Sequence, residues 1–213
     1  MSELVLDTWA LTAERPVAGL VLPDGCRDLI LCHPAGERPH WFVSDLSDRP
    51  YEVMVEAGTR MRGFRLQPGA AVECDALLAA VQGRECGDGE VLARIADHVR
   101  RPPRVVEALD CLASAVGSVA EVAAVLGVSP RSLQRLVLGA TGQSPVAWLQ
   151  LARARQAARA VAVAQSLAEV ADQYGYADQA HMTRAFRRWF GTTPRRLRGD
   201  ARRQDVLAAS GYG

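Results

Sequence analysis

The second half of this chain contains an internal repeat of about fifty residues. Residues 118–123 (SVAEVA) reappear 48 positions later as residues 166–171 (SLAEVA). After one inserted residue, residues 142–145 (GQSP) reappear 49 positions later as residues 191–194 (GTTP). The same supersecondary unit is therefore used twice, and the fold of this half must accommodate both copies.

Each copy has the pattern of a short helix, a glycine turn and a second helix that carries an arginine. A Ser followed three residues later by Glu opens each copy with the spacing of a capping box. Gly127 and Gly175 then stand where the turn favours a left-handed residue. The pattern predicts two helix-turn-helix modules, at residues 118–138 and 166–190.

A long alanine-rich helix is predicted between the modules, from Val146 to about Val163. At 1.5 Å per residue it would span about 27 Å. A stiff spacer of this length suits two recognition helices that enter successive major-groove segments of one DNA duplex.

The outward positions of each second helix carry groups that can read DNA. Arg can bond guanine O6 and N7, and Gln can bond adenine N6 and N7. These positions are Arg131, Ser132, Gln134 and Arg135 in the first module, and Gln179, Ala180, His181, Thr183 and Arg184 in the second. One such set alone could be the solvated face of a helical bundle, but two sets in register favour DNA binding.

The charge distribution agrees with this interpretation. Residues 1–103 carry 11 Arg against 16 Asp and Glu, a net charge of −5, whereas residues 104–213 carry 14 Arg against 8 acids, a net charge of +6. A basic half suits phosphate binding, and an acidic half is repelled by DNA.

The second module resembles the signature of the AraC family of bacterial transcription regulators. The resemblance lies in residues 168–176 (AEVADQYGY) and 178–194 (DQAHMTRAFRRWFGTTP), and it extends over roughly residues 105–198. Two positions depart from the family pattern: Val137, where Phe is more usual, and Leu197, where Tyr is common. Both departures concern packing.

The resemblance implies two helix-turn-helix modules that both read double-stranded promoter DNA, with RNA polymerase as a further candidate partner. It places seven residues on base-contacting positions: Arg131, Gln134, Arg135, Gln179, His181, Thr183 and Arg184. Three residues are assigned to phosphate contacts: Ser132, Arg187 and Arg188.

The N-terminal part reads as six short strands separated by Pro, Gly and Asp turns. The expected fold class is α+β, with a small antiparallel barrel or sandwich followed by an all-α DNA-binding domain. We expect a β-rich sensing domain at residues 1–75, a helical linker at 76–103, the DNA-binding domain at 104–199 and a flexible tail at 200–213.

Residues 22–30 (LPDGCRDLI) resemble a segment of regulators whose sensing domain is similar to half of a cupin barrel. Cupins often hold metal through a clustered His-x-His, which is missing here. His33 and His40 are seven positions apart and read as loop histidines, so neither a metal nor a cofactor is expected.

Four residues of this segment and the following strands are candidates for binding an unidentified small-molecule effector: Asp24, Cys26, Arg27 and Arg65. Internal salt bridges for the arginines and simple packing for Cys26 are the competing interpretations. Cys26 also permits two alternatives, a thiol-based alkyl acceptor and a redox-sensing regulator. A constitutive DNA-binding protein without an effector is a third.

Other functional classes find little support. The chain has no convergent nucleophile, base or metal motif, so we do not expect an enzyme. It has no apolar run of membrane-spanning length and no signal-peptide pattern. Five scattered cysteines favour a reducing, cytoplasmic environment. The pattern does not specify the promoter, the choice between activator and repressor, or whether a homodimer forms.

Overall fold

The structure is a computed structural model that describes residues 3–83, 86–114 and 117–213. It divides into two compact units. The first unit comprises Met1–Gly19, Cys26–Leu46 and Glu52–Pro102, and the second comprises Leu20–Gly25, Ser47–Tyr51 and Pro103–Gly213. Two short N-terminal segments therefore pack as part of the helical unit, which the sequence pattern did not predict.

The N-terminal half contains antiparallel strands, as predicted. The strands are β1 (Val5–Thr12), β2 (Val17–Val21), β3 (Asp28–His33), β4 (His40–Val43), β5 (Tyr51–Val55), β6 (Arg60–Leu66) and β7 (Ala71–Val72). A four-stranded sheet has the order β1-β6-β3-β4, and β2 pairs with β5 in a separate sheet. Gly63 lies opposite Trp9 across β6 and β1, where a Cβ atom would lie only 2.1 Å from the indole ring.

Two helices cover one face of the four-stranded sheet: α1 (Cys74–Val81) and α2 (Asp88–His98). Side chains alternate along a strand, so Leu29 and Leu31 share a face and pack with Leu77, Val91 and Ile95 in one core. A short strand, β8 (Val99–Arg100), then pairs with β7. The segment expected to be a helical linker is thus mostly the helical layer of this unit.

The second unit is all-helical, apart from the two short segments. Its helices are α3 (Pro103–Ser114), α4 (Val119–Val125), α5 (Pro130–Thr141), α6 (Pro145–Val163), α7 (Leu167–Gln173), α8 (Gln179–Phe190), α9 (Pro194–Leu197) and α10 (Ala201–Ala208). The predicted order of an antiparallel β region followed by a helical region is confirmed. No helix in the described ranges is long and apolar enough to cross a membrane.

The structure has a helix and two buried side chains in residues 200–213, for which the sequence predicted a flexible tail. Asp200 caps α10 by accepting a hydrogen bond from the Arg203 amide, and Leu207 and Tyr212 are buried. The Tyr212 hydroxyl donates to the Leu109 carbonyl at 2.7 Å, and its ring meets the Trp148 ring edge-on at 4.6 Å. The sequence analysis missed Leu207 and Tyr212 because the other residues of the tail are small or polar.

Arg155 of α6 is buried in the helical unit, with 1% of its surface exposed. Its guanidinium donates to the carbonyl oxygens of Pro23, Leu207 and Ala209, at 3.4, 3.5 and 3.1 Å. A buried cation is tolerated only when acceptors surround it. Arg155 therefore fastens both the 20–25 segment and the C-terminal tail to α6.

Candidate nucleic-acid interface

The first helix-turn-helix module is α4, a turn and α5. Ser118 Oγ accepts from the Glu121 amide, and the Glu121 carboxylate accepts from the Ser118 amide at 2.6 Å, which completes the predicted capping box. Gly127 makes the turn with φ of +65°, a left-handed conformation that favours glycine. Ser129 then caps α5, with Pro130 in its first turn.

The second module, α7, a turn and α8, repeats this construction. Ser166 Oγ accepts from the Glu169 amide, and Gly175 makes the turn with φ of +70°. Asp178 caps α8 by accepting from the His181 amide at 2.5 Å. Helix α8 has the predicted bounds, and Met182 and Phe186 are buried as their spacing required.

In the first module, Arg131 and Arg135 are exposed on α5, and Gln134 is half-buried beside them. Neither guanidinium makes a hydrogen bond or ion pair with a residue in the described ranges, so the donors of both are available to an external partner. Leu133 and Val137 are fully buried on the opposite face. The Ser132 hydroxyl lies 2.9 Å from Ser129 Oγ, inside the cap.

In the second module, Gln179 and Arg184 are exposed, and the two polar residues between them have defined hydrogen bonds. His181 Nδ1 accepts from the Ala177 amide at 3.3 Å, so the neutral ring carries its proton on Nε2 and can donate to a base acceptor. The Thr183 hydroxyl donates to the Gln179 carbonyl at 2.8 Å. The Thr183 side chain therefore has only its acceptor lone pairs and its methyl group available to an external partner.

The two arginines predicted to contact phosphate differ in their surroundings. Arg187 is exposed, and its side chain makes no bond to the part of the chain that the structure describes. Arg188 donates to Gln150 Oε1 of α6 at 3.4 Å and lies 4.9 Å from the centre of the Trp189 ring. Arg187 is thus the stronger candidate for a phosphate contact.

Helix α6 packs against both modules, through α4 and α5 on one side and α7 and α8 on the other. Its 19 residues, Pro145–Val163, span about 28 Å. The two modules therefore pack against one continuous helix.

Arg153 of α6 connects the two modules directly. Its guanidinium donates to the Gly117 carbonyl before the first module at 2.9 Å and to the Gly175 carbonyl in the turn of the second at 3.2 Å. It also lies 6.0 Å from the centre of the Tyr176 ring. Burial raises the pKa of Tyr176 to about 12, although Arg153 opposes the shift, so the phenol stays neutral.

Arg198 secures the other end of the connecting helix. It donates to the carbonyls of Val161 and Ala164 at 3.1 and 2.8 Å, which are among the last carbonyls at the end of α6. The repeat predicted the outward-facing arginines. It did not predict Arg153 and Arg198, because they bond backbone carbonyls that are distant in sequence and no residue spacing indicates such bonds.

The four residues predicted to bind an effector have structural partners or are buried. Arg65 pairs with Asp28 at 3.1 Å, and Arg27 donates to the Ser44 carbonyl and lies 3.5 Å from the Asp45 carboxylate. The Asp24 carbonyl accepts from the Tyr212 amide within the helical unit. Arg27 and Arg65 therefore make internal ion pairs, which was the alternative to effector binding for these two arginines.

Cys26 is buried, with 6% of its surface exposed. Reaction with an alkyl donor or an oxidant requires an accessible thiolate. Its burial therefore favours packing over thiol chemistry. The described residues contain no group of three His, Cys, Asp or Glu side chains that could hold a metal ion.

Comparisons with known proteins identify the doubled module. A family model described as a helix-turn-helix domain matches residues 122–200. The HTH-type transcriptional regulator RipA of Corynebacterium glutamicum is 34% identical over 120 residues, which cover 53% of this chain and 36% of RipA. The chain thus matches about a third of that relative's length.

Two solved structures are similar to about half of this chain. A Chromobacterium violaceum regulator with an AraC-type DNA-binding domain is 24% identical, with a TM-score of 0.43 over 51% of this chain and 96% of that one. The DNA-binding domain of AdpA, solved with a target DNA, is 30% identical, with a TM-score of 0.40 over 50% and 96%. Residues 122–200, which include most of both capped modules and the helix between them, therefore match a helix-turn-helix domain family, and 120 residues of the chain are similar to part of the transcriptional regulator RipA.

Proposed function

We propose that this protein is a sequence-specific, double-stranded DNA-binding transcription regulator that reads its site with α5 and α8. One observation carries the proposal: both modules present exposed arginines in the first two turns of their second helix, and these side chains make no ion pair or hydrogen bond with the residues that the structure describes. These turns are the ones that enter the major groove in helix-turn-helix proteins. Neither α5 nor α8 contains an acidic residue to repel phosphate.

The proposed division of labour follows the side-chain chemistry. Arg131 and Arg135 of α5 and Arg184 of α8 read guanine edges, while Gln134 and Gln179 suit adenine. His181 donates through Nε2 and Thr183 accepts, or meets a thymine methyl group. Ser132, Arg187 and Arg188 contact phosphate, and they fix register without specifying sequence.

Alanine substitutions in the full chain test this assignment. We expect Arg131→Ala and Arg184→Ala each to weaken specific binding by about 1–3 kcal/mol and to relax preference at one base pair. Arg187→Ala should weaken all sequences alike and lower the salt slope by about one. The DNA is the site selected from random sequence by the wild-type chain, with a scrambled duplex for comparison.

The matched control is Arg38→Ala, which removes an exposed arginine from the acidic N-terminal unit. It should change neither the affinity nor the salt slope. Equal losses on selected and scrambled DNA for Arg131→Ala would remove that residue from the base-reading set. Failure to select any site would refute sequence-specific binding.

The regulator also responds, in this proposal, to a small molecule bound by the N-terminal unit. That unit has its own core and a cavity lined by its own residues. A constitutive DNA-binding protein would need no such cavity. Transcription from a promoter carrying the selected site, with and without a bound ligand, tests the response. RNA polymerase recruitment and a homodimer are proposed with it, and the same assay reports activation or repression.

A further inference from the structure

A cavity of about 500 Å³ that is widely open to solvent lies in the N-terminal unit, beside the end of β3 and the start of β6, where α2 begins. This volume is in the range of small-molecule sites. One part of its wall is apolar and the other is basic. The apolar part is Leu31 and Cys86, and the basic part is His33, Arg60 and Arg62.

Strand register explains why the basic groups gather here. Arg60 lies directly opposite His33, and Arg62 opposite Leu31, in the antiparallel pair of β6 and β3. Because side chains alternate, these four residues share the sheet face whose continuation forms the apolar core under α1 and α2. An imidazole and a guanidinium both carry N–H donors, so an anion between His33 and Arg60 could accept from both side chains.

The two arginines of the cavity have different roles. Arg62 is fixed to the wall, since it pairs with the Asp88 carboxylate, donates to the Cys86 carbonyl at 2.9 Å and lies 5.3 Å from the centre of the Phe64 ring. Arg60 is exposed and makes no ion pair or side-chain hydrogen bond within residues 3–83, 86–114 and 117–213. Asp88 therefore neutralises the charge of Arg62, whereas the charge of Arg60 is available to a ligand.

The positive charge of the cavity is local. The N-terminal half as a whole has a net charge of −5, so it does not attract anions in general. The apolar wall beside the arginines suits the hydrocarbon body of a ligand whose charged end meets Arg60. A carboxylate has the planar geometry that a guanidinium bonds best.

We propose that this cavity binds a small organic carboxylate, with Arg60 as its principal charge partner, and that it is the effector site. The proposal rests on the effector response proposed above. It moves the site from the predicted Asp24, Cys26, Arg27 and Arg65, none of which lines this cavity, to the other end of β3.

Calorimetric titration of the full chain tests the proposal with hexanoate and benzoate, and with the uncharged hexanamide and benzamide as matched ligands. The acids should bind the wild type, and the amides should not bind measurably. Arg60→Gln should weaken acid binding about tenfold or more, because it removes a charge-assisted bond. His33→Asn provides a second variant and should weaken binding severalfold.

Arg15→Gln is the control, since it makes the same substitution at another exposed arginine of the same unit. It should bind the acids like the wild type, and thermal melts without ligand verify that each variant is folded. The proposal is overturned if neither acid binds, if the amides bind equally well, or if Arg60→Gln retains wild-type affinity.

Measuring DNA affinity on the same proteins separates this inference from the proposed function. A wild type that binds its selected DNA but neither acid overturns the effector site alone. A wild type that selects no DNA overturns the proposed regulator, and the acid titration still decides whether the cavity binds carboxylates.

Discussion

Replacing Arg153 by Met should remove the hydrogen bonds that connect the two helix-turn-helix modules, without changing any side chain proposed to face DNA. Methionine preserves much of the aliphatic stem and removes the donors to the Gly117 and Gly175 carbonyls. A hydrogen bond made by a charged group contributes about 1.5–3 kcal/mol. Because the bond to Gly117 is exposed and the bond to Gly175 is only partly buried, we expect a total loss near the value for one such bond, about 1.5–3 kcal/mol of unfolding free energy.

Two measurements test this expectation. Urea unfolding gives the change in stability, and gel shifts on the selected site, with its half-site spacing changed by one base pair either way, give the tolerance to spacing. The wild type should lose affinity with either change, and Arg153→Met should lose less. Arg159→Met is the control, since Arg159 lies on the same helix but bonds the Gly213 carbonyl of the tail. Identical spacing profiles for wild type and Arg153→Met would refute the positioning role, whatever the stability change.

Two further predictions concern the C-terminal tail. Tyr212→Phe removes the hydroxyl that bonds the Leu109 carbonyl and should lower the unfolding free energy by about 1 kcal/mol. Tyr212→Ala also removes the ring and should lower it by about 3–5 kcal/mol. Equal stability of Tyr212→Ala and wild type in urea would show that Tyr212 does not anchor the tail. Bonds from the Arg203 amide and guanidinium hold the pKa of Asp200 below its usual value, so its stabilisation is complete above about pH 4 and is lost as pH falls through the folded-state pKa. The stability difference between wild type and Asp200→Asn should therefore shrink below pH 4, and a difference independent of pH would contradict this linkage.

The helical unit was largely predictable because its signals are local. Capping residues such as Ser118 and Asp178 act within one turn, and the left-handed turn at Gly127 depends on its own backbone. Because each of these capping and turn residues occurs in both copies of the repeat, each helix was predicted from two independent examples. The bounds of α8 followed from the same rules.

The parts that were missed depend on contacts distant in sequence. The tail is ordered because Tyr212 meets Leu109, 103 positions away, and Arg155 reaches the Pro23 carbonyl across 132 positions. The cavity beside Arg60 depends on strand register, which brings that residue opposite His33. No spacing along the chain indicates these pairings, whereas Asp24 to Asp28 attracted attention only because they are adjacent in sequence.

The central claim is that one chain reads DNA with both modules, and a spacing insertion in the selected site tests it most directly. The wild-type full chain is titrated against that site with five base pairs inserted between the two half-sites. The insertion rotates them by about half a helical turn, so the two recognition helices cannot reach both at once. We predict that affinity falls to that of DNA carrying a single half-site. Unchanged affinity would contradict the account, because it would mean that one module alone reads DNA and the other only packs.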